Sequence, residues 1–307
     1  MKVLVYGAGV LGSYLAHALV RGGNDVTVLA RGKRIAELQQ DGLVIRHYLQ
    51  RKTTVDKVNV VSVLQPDDIY DLIFVVMMYS DLEAVLPVLA DNQSRSVVFV
   101  GNNADARATQ NYLQEHSSPE KQIAFGFQAS GGMREGSGRI ICIRGGGHMD
   151  LGGLDGDLSW RPLLEKAFEN ARYKLVFYAD FDPWLKSHII VVMVLGYATY
   201  AYDGDLRKIT RDMMGQIVGA LDEGYSVLEA VGYTVTPASQ AQFIRKRRRL
   251  VSLFLRIYAM TPIHRLTFSP SQLDEFVALN NAFDALKQKV NILTPNWDAL
   301  ERYTPVS

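Results

Sequence analysis

The chain has 307 residues, with 33 Lys and Arg against 32 Asp and Glu and a formal charge of +1. Its hydrophobic content of 48% and charged content of 21% are those of a globular protein and exclude a disordered, collagenous or coiled-coil chain. The near-neutral balance leaves no chain-wide footprint for nucleic acid, and the single cysteine, Cys142, excludes an internal disulfide or a thiolate metal cluster and favours a reducing compartment.

The length suits one large or two ordinary domains of about 150 residues each. Residues 2–6 read as a short apolar strand running into a glycine turn, without the basic and apolar regions of a signal peptide. Val10, Leu11, Tyr14, Leu15, Ala18 and Leu19 then recur at helical spacing. Residues 25–30 form a second β-rich run. Residues 72–76 form a third, apolar throughout, as a parallel strand buried on both faces should be. Ser80 or Asp81 caps a predicted helix through Leu89, and 97–100 is a fourth strand. This alternation predicts a doubly wound parallel sheet.

From 123 to 153 glycines are dense, and runs such as 139–143 predict hairpin strands. A helix over 163–171 and a last strand over 174–177 follow. Beyond about residue 180 only helices are predicted, over 184–202, 209–231, 237–260 and 271–289. The expected fold is therefore α/β, with an N-terminal Rossmann-type doubly wound sheet over 1–180 and an all-helical C-terminal domain over 181–307. The most apolar run, 189–196, falls far short of the roughly 20 residues of a membrane span. A soluble, cytoplasmic protein with no membrane or nucleic-acid partner is expected.

Gly7-Ala8-Gly9-Val10-Leu11-Gly12 fits G-x-G-x-x-G. In such a motif the first glycine permits the tight turn, the second admits backbone to a pyrophosphate, and the third lets helix and strand pack closely. The following helix offers free N–H groups and its positive dipole end to the phosphates. Here the motif follows a strand and opens an amphipathic helix, the context that gives it meaning. Nineteen positions beyond Gly12 stands Arg31, followed by Lys33 and Arg34, with no acid before Glu37. Cations there suit a 2′-phosphate and leave a ribose 2′-hydroxyl without its acceptor, so the cofactor expected is NADP(H).

The motifs together resemble the ketopantoate reductase (2-dehydropantoate 2-reductase) family. The resemblance runs through Gly7–Gly12, Leu29-Ala30-Arg31-Gly32, residues 71–76, Val98-Phe99-Val100-Gly101-Asn102-Asn103 and Trp184-Leu185-Lys186. It ends with Asp274-Glu275 ahead of Thr294-Pro295. It implies NADPH-dependent reduction of a 2-keto acid in a cleft between the domains. Lys186 takes the place of the family's catalytic lysine. Asn102 takes that of the asparagine beside nicotinamide and substrate. Glu275, or Gln272, matches the glutamate that binds the substrate hydroxyl.

Three departures leave the particular keto acid open. Met77-Met78-Tyr79 stands where the family carries a lysine, Gly101 and Asn103 flank Asn102 where it has glutamine and glycine, and Ile190 replaces a substrate-facing asparagine. His188 is the nearby candidate to stand in for that amide. Two other functions remain: a related oxidoreductase acting on another hydroxy or amino acid, or an NADP(H)-binding sensor without turnover.

The six histidines show no metal-ligand spacing, and hydride reduction needs no metal. The charge run Arg245-Lys246-Arg247-Arg248-Arg249 is expected to be a solvated helix end or a homodimer contact rather than a membrane anchor.

Overall fold

The computed structural model of the protein describes residues 1–261, 263–267 and 273–304. The chain forms two compact units. The first holds Met1–Gly101 and Asp105–Phe181; the second holds Asn102–Ala104 and the chain from Asp182 onward.

The first unit runs β1 (Lys2–Tyr6), α1 (Val10–Arg21), β2 (Asp25–Leu29), α2 (Lys33–Asp41), β3 (Leu43–His47), β4 (Lys52–Asp56), β5 (Asn59–Val61) and β6 (Leu72–Val75). It continues with α3 (Leu86–Asp91), β7 (Ser96–Val100), α4 (Ala106–His116), β8 (Gln122–Arg134), β9 (Ile140–Gly152), α5 (Arg161–Phe168) and β10 (Lys174–Tyr178). One ten-stranded sheet has the order β4-β3-β9-β8-β7-β6-β1-β2-β5, with β10 paired to β9.

From β8 to β5 every neighbour is parallel. Val3, Val5, Phe74 and Val98 join side chains of α1 and α5 in one core cluster. Their alternates Leu4, Ile73, Val97 and Phe99 are equally buried and point to the other face, which is why these strands read as unbroken apolar runs. The chain leaves β1 for β2 on one side and returns to β6 on the other. The carboxyl ends of β1 and β6 are thus the switch point at which sheets of this kind hold ligands.

The rest of the sheet is mixed. β8 and β9 form a long antiparallel hairpin, and β3 and β4 another. The edge strands β4 and β5 were not expected. Most of their residues are exposed or half-buried, so they carry no apolar run to announce them. The single helix expected from Ser80 or Asp81 is instead two 3₁₀ turns, Tyr79–Asp81 and Glu83–Val85, followed by α3. Pro87 lies in the first turn of α3 and has no N–H to bond a carbonyl one turn back, so a helix must restart there.

The second unit is α6 (Asp182–Ala201), α7 (Arg211–Val231), α8 (Ala238–Lys246), α9 (Arg248–Met260), α10 (Ile263–Thr267), α11 (Leu273–Lys287) and α12 (Pro295–Glu301). By length and composition α6 could cross a membrane, which the run 189–196 alone did not suggest. Twelve of its twenty residues are buried, however, as in the central helix of a bundle.

Glycines set the helix crossings. A Cβ on Gly196 would meet the Phe276 ring at 2.2 Å, and one on Gly224 would meet Ile190 at 2.6 Å. Glu223 on α7 accepts from the backbone N–H groups of Asn296 and Trp297 and so satisfies the start of α12. The helix expected over 237–260 breaks at Arg247, whose φ of −131° is not helical. Either side of the break, Arg245 and Arg248 bond Asp222 on α7, so the charge run is a joint between two helices with part of its charge answered.

Candidate active site

The glycine turn lies at the switch point. Gly7 has φ +121°, and a Cβ there would stand 2.1 Å from the Val76 carbonyl oxygen just past β6. A Cβ on Gly12 would stand 1.9 Å from the Gly7 oxygen. Both glycines are therefore demanded by the fold itself. Gly9, which caps α1, has nothing within 4 Å of its Cβ position. That open side, at the start of a twelve-residue helix, is where Ala8, Gly9, Val10 and Leu11 would let a pyrophosphate approach backbone.

The basic residues after β2 divide into two kinds. Arg31 is exposed and touches the Tyr6 hydroxyl at the end of β1 with Nη2, at 3.3 Å. No carboxylate pairs with it among the described residues, so it can meet a phosphate. Arg34 is buried and already spent. Its guanidinium donates to the carbonyls of Ala8 and Gly138, to Ser13 Oγ and to Glu37. It braces the glycine turn from behind rather than reading a ligand, and burial lowers its basicity. Glu37, the first acid after Arg31, is held by Arg34.

In the second unit Lys186 lies one turn into α6 and is buried. Its Nζ donates to Asp182 Oδ1 at 2.8 Å and lies 5.5 Å from the centroid of the Tyr233 ring. Gly232 ends α7 in the left-handed conformation, φ +107°, which turns Tyr233 back toward α6. The same segment is pinned where Thr236 N–H donates to Ser187 Oγ at 2.9 Å.

Positions 182, 186 and 190 share one face of α6, and positions 184 and 188 another. His188 accordingly stacks on Trp184, with ring centroids 5.0 Å apart. Burial pushes its imidazole down to about 4, so it is neutral at physiological pH. It is turned some 200° around the helix from Lys186 and does not replace an amide at 190. Ile190 is fully buried, packed against Gly224 at the α6–α7 crossing.

Asn102 follows β7 and belongs to the helical unit. Gly101 before it has φ +147°, and a Cβ there would crowd the Met77 carbonyl at 3.1 Å, so glycine rather than glutamine suits this turn. Asn103 is buried. Asn102 Nδ2 donates to Glu275 Oε1 at 2.5 Å, while its Oδ1 is buried with no hydrogen-bond partner among the described residues. Glu275 sits in the first turn of α11, where the helix dipole favours a carboxylate. Phe276 beside it is seated against Gly196, Tyr197 and Tyr200. Glu275 is therefore the acid that meets Asn102; Gln272 lies outside the described residues. After β6, Met77, Met78 and Tyr79 put no cation where the family has a lysine.

Sequence reasoning missed Asp182 and Tyr233. The i, i+4 spacing of Asp182 and Lys186 was a readable signal; the approach of Tyr233 was not.

A parallel sheet with a glycine turn at its switch point, followed by a helical unit that buries a lysine, is the architecture of a Rossmann-type oxidoreductase. The family model described as ketopantoate reductase PanE/ApbA matches residues 3–156, half of the chain, and the chain belongs to that family. It is similar in fold to a PanE/ApbA family ketopantoate reductase from Ralstonia eutropha JMP134. The identity there is 17%, the TM-score 0.77, and 99% of this chain and 97% of that chain are covered. It is likewise similar to D-mandelate dehydrogenase solved with NADH and anilino(oxo)acetate, at 18% identity and a TM-score of 0.74, over 99% of this chain and 97% of that one. A 45-residue stretch is 53% identical to the uncharacterized oxidoreductase YkpB of Bacillus subtilis, spanning 15% of each protein.

Proposed function

We propose that the protein is an NADP(H)-dependent reductase of a 2-keto acid, nominally 2-dehydropantoate, acting in the cytoplasm. The observation that carries this reading is the buried Lys186 on α6, in a chain of this family whose other unit has an intact dinucleotide turn. Gly7–Gly12 would hold the pyrophosphate, and the exposed guanidinium of Arg31 supports NADP(H) over NAD(H). When bound, the nicotinamide supplies the hydride for the keto carbon.

The chain's own residues do the rest. Lys186 Nζ donates a hydrogen bond to the ketone oxygen and passes it a proton as charge develops there, leaving a neutral amine that regains its proton from solvent. Asn102 Oδ1, buried and without a partner, accepts an N–H from cofactor or substrate, and Glu275 accepts from a substrate hydroxyl. The single buried Cys142 suits a reducing compartment.

The test is NADPH oxidation with a panel of 2-keto acids, ketopantoate included. Fast turnover of one of them that Lys186→Ala abolishes, with NADPH binding intact, is the expected result; undiminished turnover in Lys186→Ala overturns it. A second reading, a reductase of a different 2-keto acid, is favoured by Ile190, which brings no amide to the Lys186 face. Silence with ketopantoate beside turnover of another acid would select it.

A further inference from the structure

Asp182 stands one helical turn before Lys186, and the two side chains are only 15% and 9% exposed. Lysine–carboxylate pairs at this spacing usually lie on solvated helix faces, where they contribute little. This pair is shielded, and attraction between charges grows as water is excluded. Two groups are set against Nζ: the Asp182 carboxylate on its own helix and the Tyr233 ring from the segment past α7. The geometry is also restrictive. Asp182 lies in the first turn of α6, so its oxygen defines the direction from which Nζ is held.

We propose that Asp182 is the positioning residue of the reaction: its carboxylate holds the Lys186 Nζ along one direction, so that the proton is donated from a fixed position. The proposal rests on the reading of Lys186 as proton donor. In each turnover an N–H bond of Lys186 breaks as an O–H bond forms on the substrate. The neutral amine left beside Asp182 takes a proton from water, which closes the proton balance. Asp182 never touches the substrate; it acts through Lys186.

The test uses the full chain with Asp182→Asn, Asp182→Glu and Lys186→Ala. With the keto acid found in the panel, Asp182→Asn should lower kcat about 10- to 100-fold, with KM and NADPH affinity within about twofold of the parent. Asp182→Glu should recover most of the rate. The split between kcat and KM, together with rescue by Asp182→Glu, is a readout that a merely structural role would not give.

An unchanged kcat in Asp182→Asn while Lys186→Ala is dead overturns the role of Asp182 and leaves that of Lys186 standing. Full turnover in Lys186→Ala overturns both. Thermal melting of each variant separates loss of the fold from loss of the charge.

Discussion

Asn102 and Glu275 are 173 residues apart in the chain and are joined by a 2.5 Å hydrogen bond from amide to carboxylate. The carboxylate fixes which end of the amide is which: Nδ2 faces Glu275, so Oδ1 is the atom left for a ligand. Glu275→Ala frees the amide to rotate and removes an acceptor. It should raise KM for the keto acid about 10- to 100-fold, the cost of one charge-assisted hydrogen bond, with NADPH affinity unchanged. Steady-state kinetics beside a fluorescence titration with NADPH checks this. An unaltered KM would remove Glu275 from the substrate site.

The three glycines of the turn should separate when each is changed to alanine. A methyl on Gly7 or Gly12 collides with backbone oxygen at about 2 Å, so those variants should melt well below the parent or fail to fold. Gly9→Ala meets nothing among the described residues and should keep the parental melting temperature while losing most of its dinucleotide affinity. Calorimetry with and without NADPH distinguishes the cases.

Arg31 and Arg34 should separate in the same way. Arg31→Ala should weaken NADPH binding by tenfold or more and leave NADH binding nearly unchanged, since only the 2′-phosphate loses a partner. Arg34→Ala leaves the Ala8 and Gly138 carbonyls without their donor and should cost about 2–4 kcal/mol of stability. A melt without ligand reads that loss, and paired NADPH and NADH titrations read the first.

A pH effect arises within the helical unit. Burial and the neighbouring Glu301 carboxylate push the Asp284 carboxyl up to about 6, against the pull of Lys287. In the unfolded chain it titrates near 3.9. The raised group contributes stability that is complete below about pH 4 and is lost as pH rises through 6. Asp284→Asn keeps an oxygen to accept from Asn280 Nδ2 and removes the charge. It should stabilise by about 1 kcal/mol at pH 7, the full two-unit shift being discounted for partial exposure. That is about 2 °C in Tm, with no gain at pH 4. Equal melting shifts at both pH values would count against the charge as the cause.

What was legible in the sequence was what the backbone needs locally. Gly7–Gly12, the apolar β6 and the 3.6-residue spacing of α1 each report the environment of a short segment, and all three lie where their patterns imply. Partnerships formed at a distance were not legible. Arg34 reads like Arg31, three positions before it, until Gly138 arrives from 104 residues away to take its guanidinium. His188 reads as a polar replacement for an amide until helix geometry turns it onto Trp184. Ile190 reads as a lost substrate contact, although its side chain packs against Gly224 of α7. Arg247 carries no proline or glycine to announce that it ends one helix and precedes the next.

The residues Asn102–Ala104 follow a strand of the first unit yet cluster with the second, which bears on how this protein can be recombined. A chimera made by exchanging the chain from Asp182 onward would take Asn102 from one parent and Glu275 from the other, splitting a matched pair between two ancestries. A faithful transplant of the helical unit needs three junctions instead of one, at 101/102, 104/105 and 181/182. Natural shuffling of this module would therefore leave its trace in a three-residue island far upstream of the apparent boundary.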